Sequence, residues 1–254
     1  MFPVLFQIGN LKIHTYGVFV ALGFLTGIIL AFREAKRVGE EPEKILDLAF
    51  YLIVAAIIGS RLLYIIIYYD YYLENPLEII KIWNGGLVFY GGFIPALLVG
   101  IWYIRKNHMS IWKVTDILAP SIAIGQAIGR LGCLSAGCCF GKETTLPWAI
   151  TFTHPETLAR QGVPLHPTQI YSSVNALFIF FVLMIAKRYK RFDGFLIWLY
   201  VLLYAITRSI IEIFRGDARG LVIKDVLSTS QFIGIIMGVI SIFMLFYLGA
   251  KKRR

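Results

Sequence analysis

Seven stretches of this chain are long and apolar enough to cross a lipid bilayer. A transmembrane helix needs about 20 mostly apolar residues, with a range of roughly 17–25. The seven stretches are residues 16–32, 48–69, 87–104, 114–134, 169–186, 195–214 and 232–249. Of the 254 residues, 58% are apolar and only 16% are charged, which argues against a soluble enzyme. The pattern predicts an all-α polytopic membrane protein of about seven transmembrane helices, with residues 1–254 forming a single domain.

The basic residues predict the side of the membrane on which each loop lies. One set of alternate loops, together with the C-terminal tail, holds 15 of the 25 Lys and Arg, and the other set holds 7. Because cytoplasmic loops collect Lys and Arg, the N-terminus is predicted outside and the C-terminus in the cytoplasm. The longer outer segments are then about 135–168 and 215–231. This topology accounts for most of the net charge of +10, so nucleic acid is not an expected partner.

Charged side chains also occur inside the apolar stretches, where they are costly and usually functional. Five lie near membrane depth: Arg61, Asp116, Arg130, Arg208 and Glu212. In a purely structural interpretation, these five residues pair with one another and hold the helix bundle together. In a functional interpretation, the arginines bind an anionic ligand, because a guanidinium can donate two parallel hydrogen bonds to phosphate.

The sixth stretch carries a polar stripe. Four residues recur there at spacings of 4, 4 and 3: Tyr204, Arg208, Glu212 and Arg215. Those spacings place them on one helix face. Arg208 and Glu212 can form an i,i+4 pair, so Arg215 and Arg130 become the candidates for binding an anion.

Two motifs and three cysteines lie near the predicted outer face. Tyr90 belongs to a glycine-rich segment, 84–92, and is either an interfacial tyrosine or a functional group. His166 opens an HPTQIY segment, where it either starts a helix or faces a ligand. Cys133, Cys138 and Cys139 are expected to be small buried thiols, with a disulfide as the alternative. A zinc site would need a fourth ligand, such as a histidine, which nothing in the sequence fixes, so no metal is predicted.

Taken together and in this order, the motifs resemble those of bacterial prolipoprotein diacylglyceryl transferases. The segments that carry the resemblance are HTYG at 14–17, GSRLLY at 59–64, GGLVFYGG at 85–92, GRLG at 129–132, PWA at 147–149, HPTQIY at 166–171 and the stripe at 204–215. The resemblance implies transfer of a diacylglyceryl group from phosphatidylglycerol to the lipobox cysteine thiol of a prolipoprotein signal peptide. A thioether forms and glycerol-1-phosphate leaves, without a cofactor, at the bacterial cell (inner) membrane.

The resemblance also implies roles for individual residues. The predicted catalytic residues are Arg208, Glu212, Tyr90, Tyr204 and His166, and the predicted phosphatidylglycerol ligands are Arg130, Tyr16, Arg61, Arg215 and Gly141. The chain departs from the family pattern at Tyr90, where many members have His, at Cys133, where many have Asn, and at Cys138, in place of an acid. These departures leave the proton acceptor open. Two alternatives are a divergent paralogue that binds lipid or lipoprotein without transfer, and a small transporter.

Overall fold

The predicted apolar stretches all form helices. The computed structural model describes residues 3–9, 11–216, 221–223 and 227–252. The helices in this part of the chain are α1 (Thr15–Arg37), α2 (Pro42–Ile67), α3 (Tyr69–Glu74), α4 (Phe89–Lys106), α5 (Ile111–Ala136), α6 (Thr168–Ala186), α7 (Phe195–Glu212) and α8 (Thr229–Lys251). Many apolar side chains point outward, and Phe246 is 75% exposed, as expected for helices that contact lipid. The all-α polytopic membrane fold is confirmed.

The membrane crossing is supported for six of the seven predicted stretches. Six of the described helices are long and apolar enough to cross a bilayer: α1, α2, α5, α6, α7 and α8. The stretch 87–104 also forms a helix, α4, but this helix has only 18 residues, contains Pro95 and ends in Arg105 and Lys106. Its crossing of the membrane, like the orientation of the termini, stays a prediction. Parts of the predicted outer segment 215–231 and of the basic tail lie outside the described residues.

In the described part of the chain, three short antiparallel strand pairs, which the apolar pattern did not predict, precede α1 or lie between later helices. β1 (Val4–Ile8) pairs with β2 (Leu11–His14), in a register that places Val4 opposite His14. β3 (Ile150–Thr151) pairs with β4 (Pro164–Leu165), and β5 (Leu221–Ile223) pairs with β6 (Leu227–Ser228). At two to five residues, these strands are too short to show an alternating apolar pattern.

The chain divides into two compact units, one formed by Met1–Ala31 with Thr115–Arg254 and the other by Phe32–Val114. In the first unit, small residues let α1 lie close to α5, because a Cβ on Gly23 would be only 2.8 Å from the carbonyl oxygen of Gly125. The buried core of this unit contains Ala119, Ala123, Ile179, Leu183 and Leu196.

Asp116, on α5, is used to start α7. Its carboxylate accepts hydrogen bonds from the backbone N–H groups of Gly194, at 2.9 Å, and Ile197, at 3.0 Å. Lys190 forms an ion pair with the same carboxylate at 2.9 Å. Since the first N–H groups of a helix have no partner within the helix, this aspartate acts as a cap supplied by another helix. Asp116 therefore has a structural role, but its partners are Lys190 and two backbone N–H groups and not another of the five charged residues.

In the second unit, α2 and α4 meet at glycines. A Cβ on Gly92 would lie 2.8 Å from the carbonyl oxygen of Ala56, and one on Gly91 would lie 2.7 Å from that of Gly59. Any larger side chain at these positions would push the two helices apart.

Candidate active site

Three residues of the predicted polar stripe, Tyr204, Arg208 and Glu212, lie on α7, whereas Arg215 follows the end of this helix. Arg208 and Glu212 form the predicted ion pair. Arg208 Nη1 lies 2.5 Å from Glu212 Oε2, and the two side chains are only 12% and 7% exposed. Neither of these two atoms has a hydrogen bond to any other group in the described part of the chain. The pair is therefore shielded from solvent, and the carboxylate fixes where the guanidinium points.

Arg130, Tyr204 and Arg208 line one small cavity inside the first unit. The cavity lies among α5, α6 and α7, and its remaining walls are Gln126, Ser172, Asn175 and Ile211. Its volume of about 10 Å³ is enough for about one water molecule. Two guanidinium groups beside a polar cavity at membrane depth form a site that attracts an anion.

Three polar residues of this cavity were not among the predicted site residues. Gln126 lies one turn before Arg130 on α5, and Ser172 and Asn175 are three residues apart on α6. The i,i+3 spacing of Ser172 and Asn175 is a sequence feature that could have indicated this face of α6. Gln126 also accepts a hydrogen bond from Tyr200, whose ring stacks on Tyr204 with centroids 5.9 Å apart.

A cap of backbone segments contains Gly141, His166 and Arg215. The Gly141 N–H donates to the carbonyl of His166 at 3.0 Å, and Gly141 forms a β-bridge with Arg215. A Cβ on Gly141 would overlap the Cβ of His166 and would lie 2.7 Å from the carbonyl oxygen of Phe214. Gly141 is therefore needed for close packing of three chain segments, and Arg215, only 6% exposed, is held beside it.

The imidazole of His166 is fixed by aromatic neighbours. Its Nδ1 lies 3.2 Å from the hydroxyl of Tyr171, which in turn accepts a hydrogen bond from Trp148 Nε1 at 2.8 Å. The ring of Phe214 packs against the imidazole, with centroids 5.2 Å apart. This half-buried ring is oriented by its surroundings, which a role in helix initiation alone would not require.

The three cysteines form one cluster at the end of α5. The Sγ atoms of Cys133, Cys138 and Cys139 all lie within 4.8 Å of one another, and none forms a disulfide. Arg130 Nη1 is 3.8 Å from Cys139 Sγ. Hydrogen bonds from the other two thiols, and then from the Arg215 guanidinium, hold the pKa of the Cys139 thiol below its ordinary value. Hydrogen bonds with Cys133 and Cys139, together with burial, raise the pKa of the Cys138 thiol. The cluster thus places the Cys139 sulfur beside two arginines, whose positive charge favours its thiolate form.

The start of α6 holds the backbone of this cluster in place. Cys139 has a φ of 60°, an uncommon left-handed conformation for a residue with a side chain. The Thr168 hydroxyl donates to the Cys139 carbonyl at 2.7 Å, and the Gln169 amide donates to the Cys138 carbonyl at 2.8 Å. Both donor residues are almost fully buried. The HPTQ segment therefore positions the cysteine turn, a role that sequence reasoning missed.

Tyr16, at the start of α1, packs its backbone against the same end of α5. A Cβ on Gly132 would lie 3.1 Å from the carbonyl oxygen of Tyr16 and 3.0 Å from the Cβ of Phe19. The Tyr16 side chain is 44% exposed. The close approach at Gly132 therefore brings this tyrosine to the helix end that carries Arg130.

Arg61 belongs to the second unit, where backbone carbonyls engage all of its N–H groups. Its five donors reach the carbonyls of Glu78, Ile79, Lys81, Gly85 and Gly86, and the distance to Gly85 is 2.7 Å. The side chain is 7% exposed, and its guanidinium lies over the ring of Tyr72. These contacts favour a structural role, because no N–H group is left over for a phosphate oxygen.

Tyr90 also belongs to the second unit, at the start of α4. Its side chain is 56% exposed and its ring packs edge-on against Phe89. Its hydroxyl makes no hydrogen bond within the described part of the chain. The arrangement is compatible with the interfacial interpretation of Tyr90 and with a hydroxyl that is available to a ligand.

Comparison with known proteins assigns the chain to a protein family. The family model described as prolipoprotein diacylglyceryl transferase matches residues 3–247. The chain belongs to this family. A phosphatidylglycerol–prolipoprotein diacylglyceryl transferase of Clostridium tetani is 40% identical over 245 residues, which cover 96% of each chain. Enzymes of the same name from Bacillus velezensis and Geobacter sulfurreducens are 34% and 32% identical, over 98% of this chain and 93% and 96% of theirs.

Membership of the diacylglyceryl transferase family makes this polytopic membrane protein an enzyme and a transferase of lipoprotein biosynthesis. The resemblance predicted from the motifs is thereby confirmed. In the first unit, the structure brings Arg130, Tyr204 and Arg208 to one cavity, while Arg61 and Tyr90 belong to the other unit.

Proposed function

We propose that this protein transfers the diacylglyceryl group of phosphatidylglycerol to the thiol of a lipobox cysteine in a prolipoprotein. The observation that carries the proposal is the cavity shared by Arg130, Tyr204 and Arg208, in a chain that the transferase family model matches from residue 3 to 247. Phosphatidylglycerol is anionic, and its phosphate becomes part of the leaving group. A pair of buried guanidinium groups is suited to both features.

Arg130 and Arg208 stabilise the charge that develops on the leaving group. When the bond between the glyceryl carbon and the phosphate oxygen breaks, the phosphate gains a second negative charge. Preorganised donors in a site that excludes water act on such a charge more strongly than donors in water. Glu212 keeps the Arg208 guanidinium oriented before the substrate arrives, so that little reorganisation is needed during the reaction.

The acceptor supplies the new bond. Its S–H bond breaks and the proton passes to solvent. The sulfur attacks the glyceryl carbon to form a thioether, and glycerol-1-phosphate leaves with the electrons of the broken C–O bond. A thiolate is the reactive form of the acceptor, and nearby positive charge lowers the pKa of a thiol. The arginines around the cavity therefore favour both the departure of the phosphate and the formation of the acceptor thiolate.

The remaining predicted ligands take different roles in this proposal. Tyr204 and Tyr16 orient the phospholipid head group, and Arg215 and His166 border the site from the cap. Gly141 acts through backbone packing and Arg61 through the carbonyls that it holds, so neither touches the phospholipid. Tyr90 offers a hydroxyl group as a hydrogen-bond donor.

The cavity must widen to admit a head group. Its volume of about 10 Å³ is far below what a phosphoglycerol group occupies. A Cβ placed on Gly129 would meet no atom within 4 Å, so open space lies next to the arginine on the same helix. Movement of the side chains between these two spaces is the simplest way to admit the phosphate.

The reaction takes place at the outer leaflet of the bacterial cell (inner) membrane in this proposal. The asymmetry of Lys and Arg between the two sets of loops supports an outer N-terminus and a cytoplasmic C-terminus. That orientation puts the end of α5 with the cysteines, and the cap around Gly141, on the outside.

A transfer assay with purified full-length protein in detergent tests the proposal. The substrates are phosphatidylglycerol and a peptide with a lipobox cysteine, and the readouts are the mass gain of the peptide and the release of glycerol phosphate. Arg130→Ala should abolish both signals, while Arg188→Ala, an exposed arginine far from α5 in sequence, should keep both. Binding of phosphatidylglycerol without transfer would instead identify a divergent paralogue.

A further inference from the structure

The cysteine cluster has the ligand set of a metal centre. Thiolate sulfur is a preferred ligand of zinc and of other soft ions. A tetrahedral zinc ion with Zn–S bonds of about 2.3 Å requires sulfur atoms about 3.8 Å apart. The three Sγ atoms already lie within 4.8 Å of one another, so no pair is more than about 1 Å wider than this spacing.

The cluster is also built rather than incidental. It depends on the left-handed backbone of Cys139, and buried side chains of Thr168 and Gln169 bond to the carbonyls of the cysteine turn. A turn fixed in this way aims the thiols of Cys138 and Cys139 toward Cys133 before any ligand binds.

The charges around the cluster suit a metal–thiolate complex. Three thiolates and one divalent ion carry a net charge of −1, and a fourth thiolate brings it to −2. Arg130 lies 3.8 Å from Cys139, and the buried Arg215 hydrogen bonds to the same sulfur. Two guanidinium groups thus balance the complex with four thiolates, whereas a bare cation would be repelled by them.

We propose that Cys133, Cys138 and Cys139 bind one zinc-class divalent ion and leave its fourth position open for the thiol of the acceptor cysteine. No carboxylate or histidine in the described residues joins the three thiols at ligand distance, which leaves that position open. Three protein ligands with an open fourth position are typical of catalytic rather than structural zinc sites. The role of the fourth position rests on the proposed function.

The chemistry at that position is balanced without a further reactant. The acceptor thiol loses its proton to solvent, and its sulfur bonds to the ion as a thiolate. The metal-bound sulfur then lies near Arg130, which also holds the phosphate of the donor lipid. The departures from the family pattern at Cys133, Cys138 and Tyr90 left open which group deprotonates the acceptor thiol. In this arrangement the metal ion stabilises the acceptor thiolate in place of a protein base.

Cadmium titration tests the metal site independently of activity. The full-length protein in detergent is first reduced with a phosphine, and three titratable thiols per chain are confirmed. Added Cd²⁺ should give a sulfur-to-cadmium charge-transfer band that saturates at about one ion per chain. Cys133→Ser and Cys139→Ser should lower the band intensity per ion and weaken Cd²⁺ binding, while Ser135→Ala, at the same end of α5, should change neither. A reduced protein without the band, or cysteine variants with the intensity and affinity of the wild type, would overturn the site.

X-ray absorption of the zinc-loaded wild-type protein tests the fourth position without relying on a variant that folds. The number of sulfur ligands should rise from three to four when a lipobox peptide is added and should stay at three with a peptide that has Ser in place of Cys. A count of three with the cysteine peptide overturns the acceptor role. Failure of the transfer assay with an intact metal signal, in contrast, would overturn the proposed function and leave the metal site standing.

Discussion

Replacing Glu212 with glutamine tests whether the ion pair on α7 acts through Arg208. The substitution keeps the size and one carbonyl oxygen of the side chain but removes its charge. The pair is separated by 2.5 Å and its side chains are 12% and 7% exposed, so it belongs with buried pairs. Removing one partner of a buried pair costs about 3–5 kcal/mol, against about 0.3–0.5 kcal/mol for an exposed i,i+4 pair.

The same substitution should also slow catalysis. If Arg208 stabilises the leaving phosphate only while Glu212 orients it, Glu212→Gln removes one preoriented donor. Loss of one such donor typically lowers kcat by about 100- to 1,000-fold. The retained carbonyl of glutamine places our expectation at about 100-fold, with a much smaller change in the apparent KM for phosphatidylglycerol. Glu212→Asp should recover part of kcat because it restores the charge.

The assay is diacylglyceryl transfer with phosphatidylglycerol and a lipobox peptide, followed together with the melting temperature in detergent. Glu156→Gln is the matched control, because Glu156 forms an ion pair with Lys12 at 2.6 Å while both side chains are more than 40% exposed. We expect no measurable change for this control. A Glu212→Gln variant that melts early but keeps kcat within threefold would refute the positioning role, and one that changes neither quantity would refute the burial argument.

Three further predictions concern stability. Gly141→Ala should lower the unfolding free energy by about 1–3 kcal/mol, because the added Cβ overpacks the site. Gly17→Ala is the control, because a Cβ there meets no atom within 4 Å and should leave the unfolding free energy unchanged. Equal melting temperatures of the two variants would contradict the packing argument. Arg61→Lys should lower the melting temperature, because the three N–H donors of lysine cannot bond to five carbonyls. The apparent KM for phosphatidylglycerol should stay unchanged, and a raised KM would show that Arg61 is a phosphatidylglycerol ligand. Burial lowers the pKa of Lys190, but hydrogen bonds to aspartates, Asp116 among them, raise it overall above its ordinary 10.5. The ion pair of Lys190 is therefore kept below pH 10.5 and lost only as the pH rises through the raised pKa of Lys190. The loss of unfolding free energy caused by Lys190→Met should thus be constant from about pH 7 to 9.5. A decline of that loss within this pH range would contradict the prediction.

The apolar stretches predicted where the helices are but not how long they are. The first stretch, 16–32, lies inside α1, which continues through charged residues to Arg37. In the same way, α2 starts at Pro42, six residues before the apolar stretch. Apolar length reports the thickness of the membrane, whereas charged residues continue a helix in water without a large penalty. Helix ends outside the bilayer are therefore not visible in hydropathy.

Residue spacing in the sequence predicted contacts within one helix of the site, but it did not predict contacts between distant segments. The i,i+4 spacing of Arg208 and Glu212 was enough to predict their ion pair, because the geometry of one helix fixes it. The partners of Arg61 could not be predicted, since they are carbonyls of residues 78–86, where Gly85 and Gly86 adopt positive φ. Which carbonyls a side chain meets depends on that turn geometry, and the sequence shows only that glycines are present.

The cysteines show what is gained by placing the residues in space. In the sequence, Cys133 and Cys138 are two separate departures from the family pattern, one replacing an amide and the other an acid, and Cys139 is a neighbour without a role. In the structure all three share one cluster beside Arg130. Losing an acid next to an arginine would ordinarily leave that arginine with less compensating charge. In the proposed metal centre the three thiolates return negative charge to the same place, so the two departures compensate within one site.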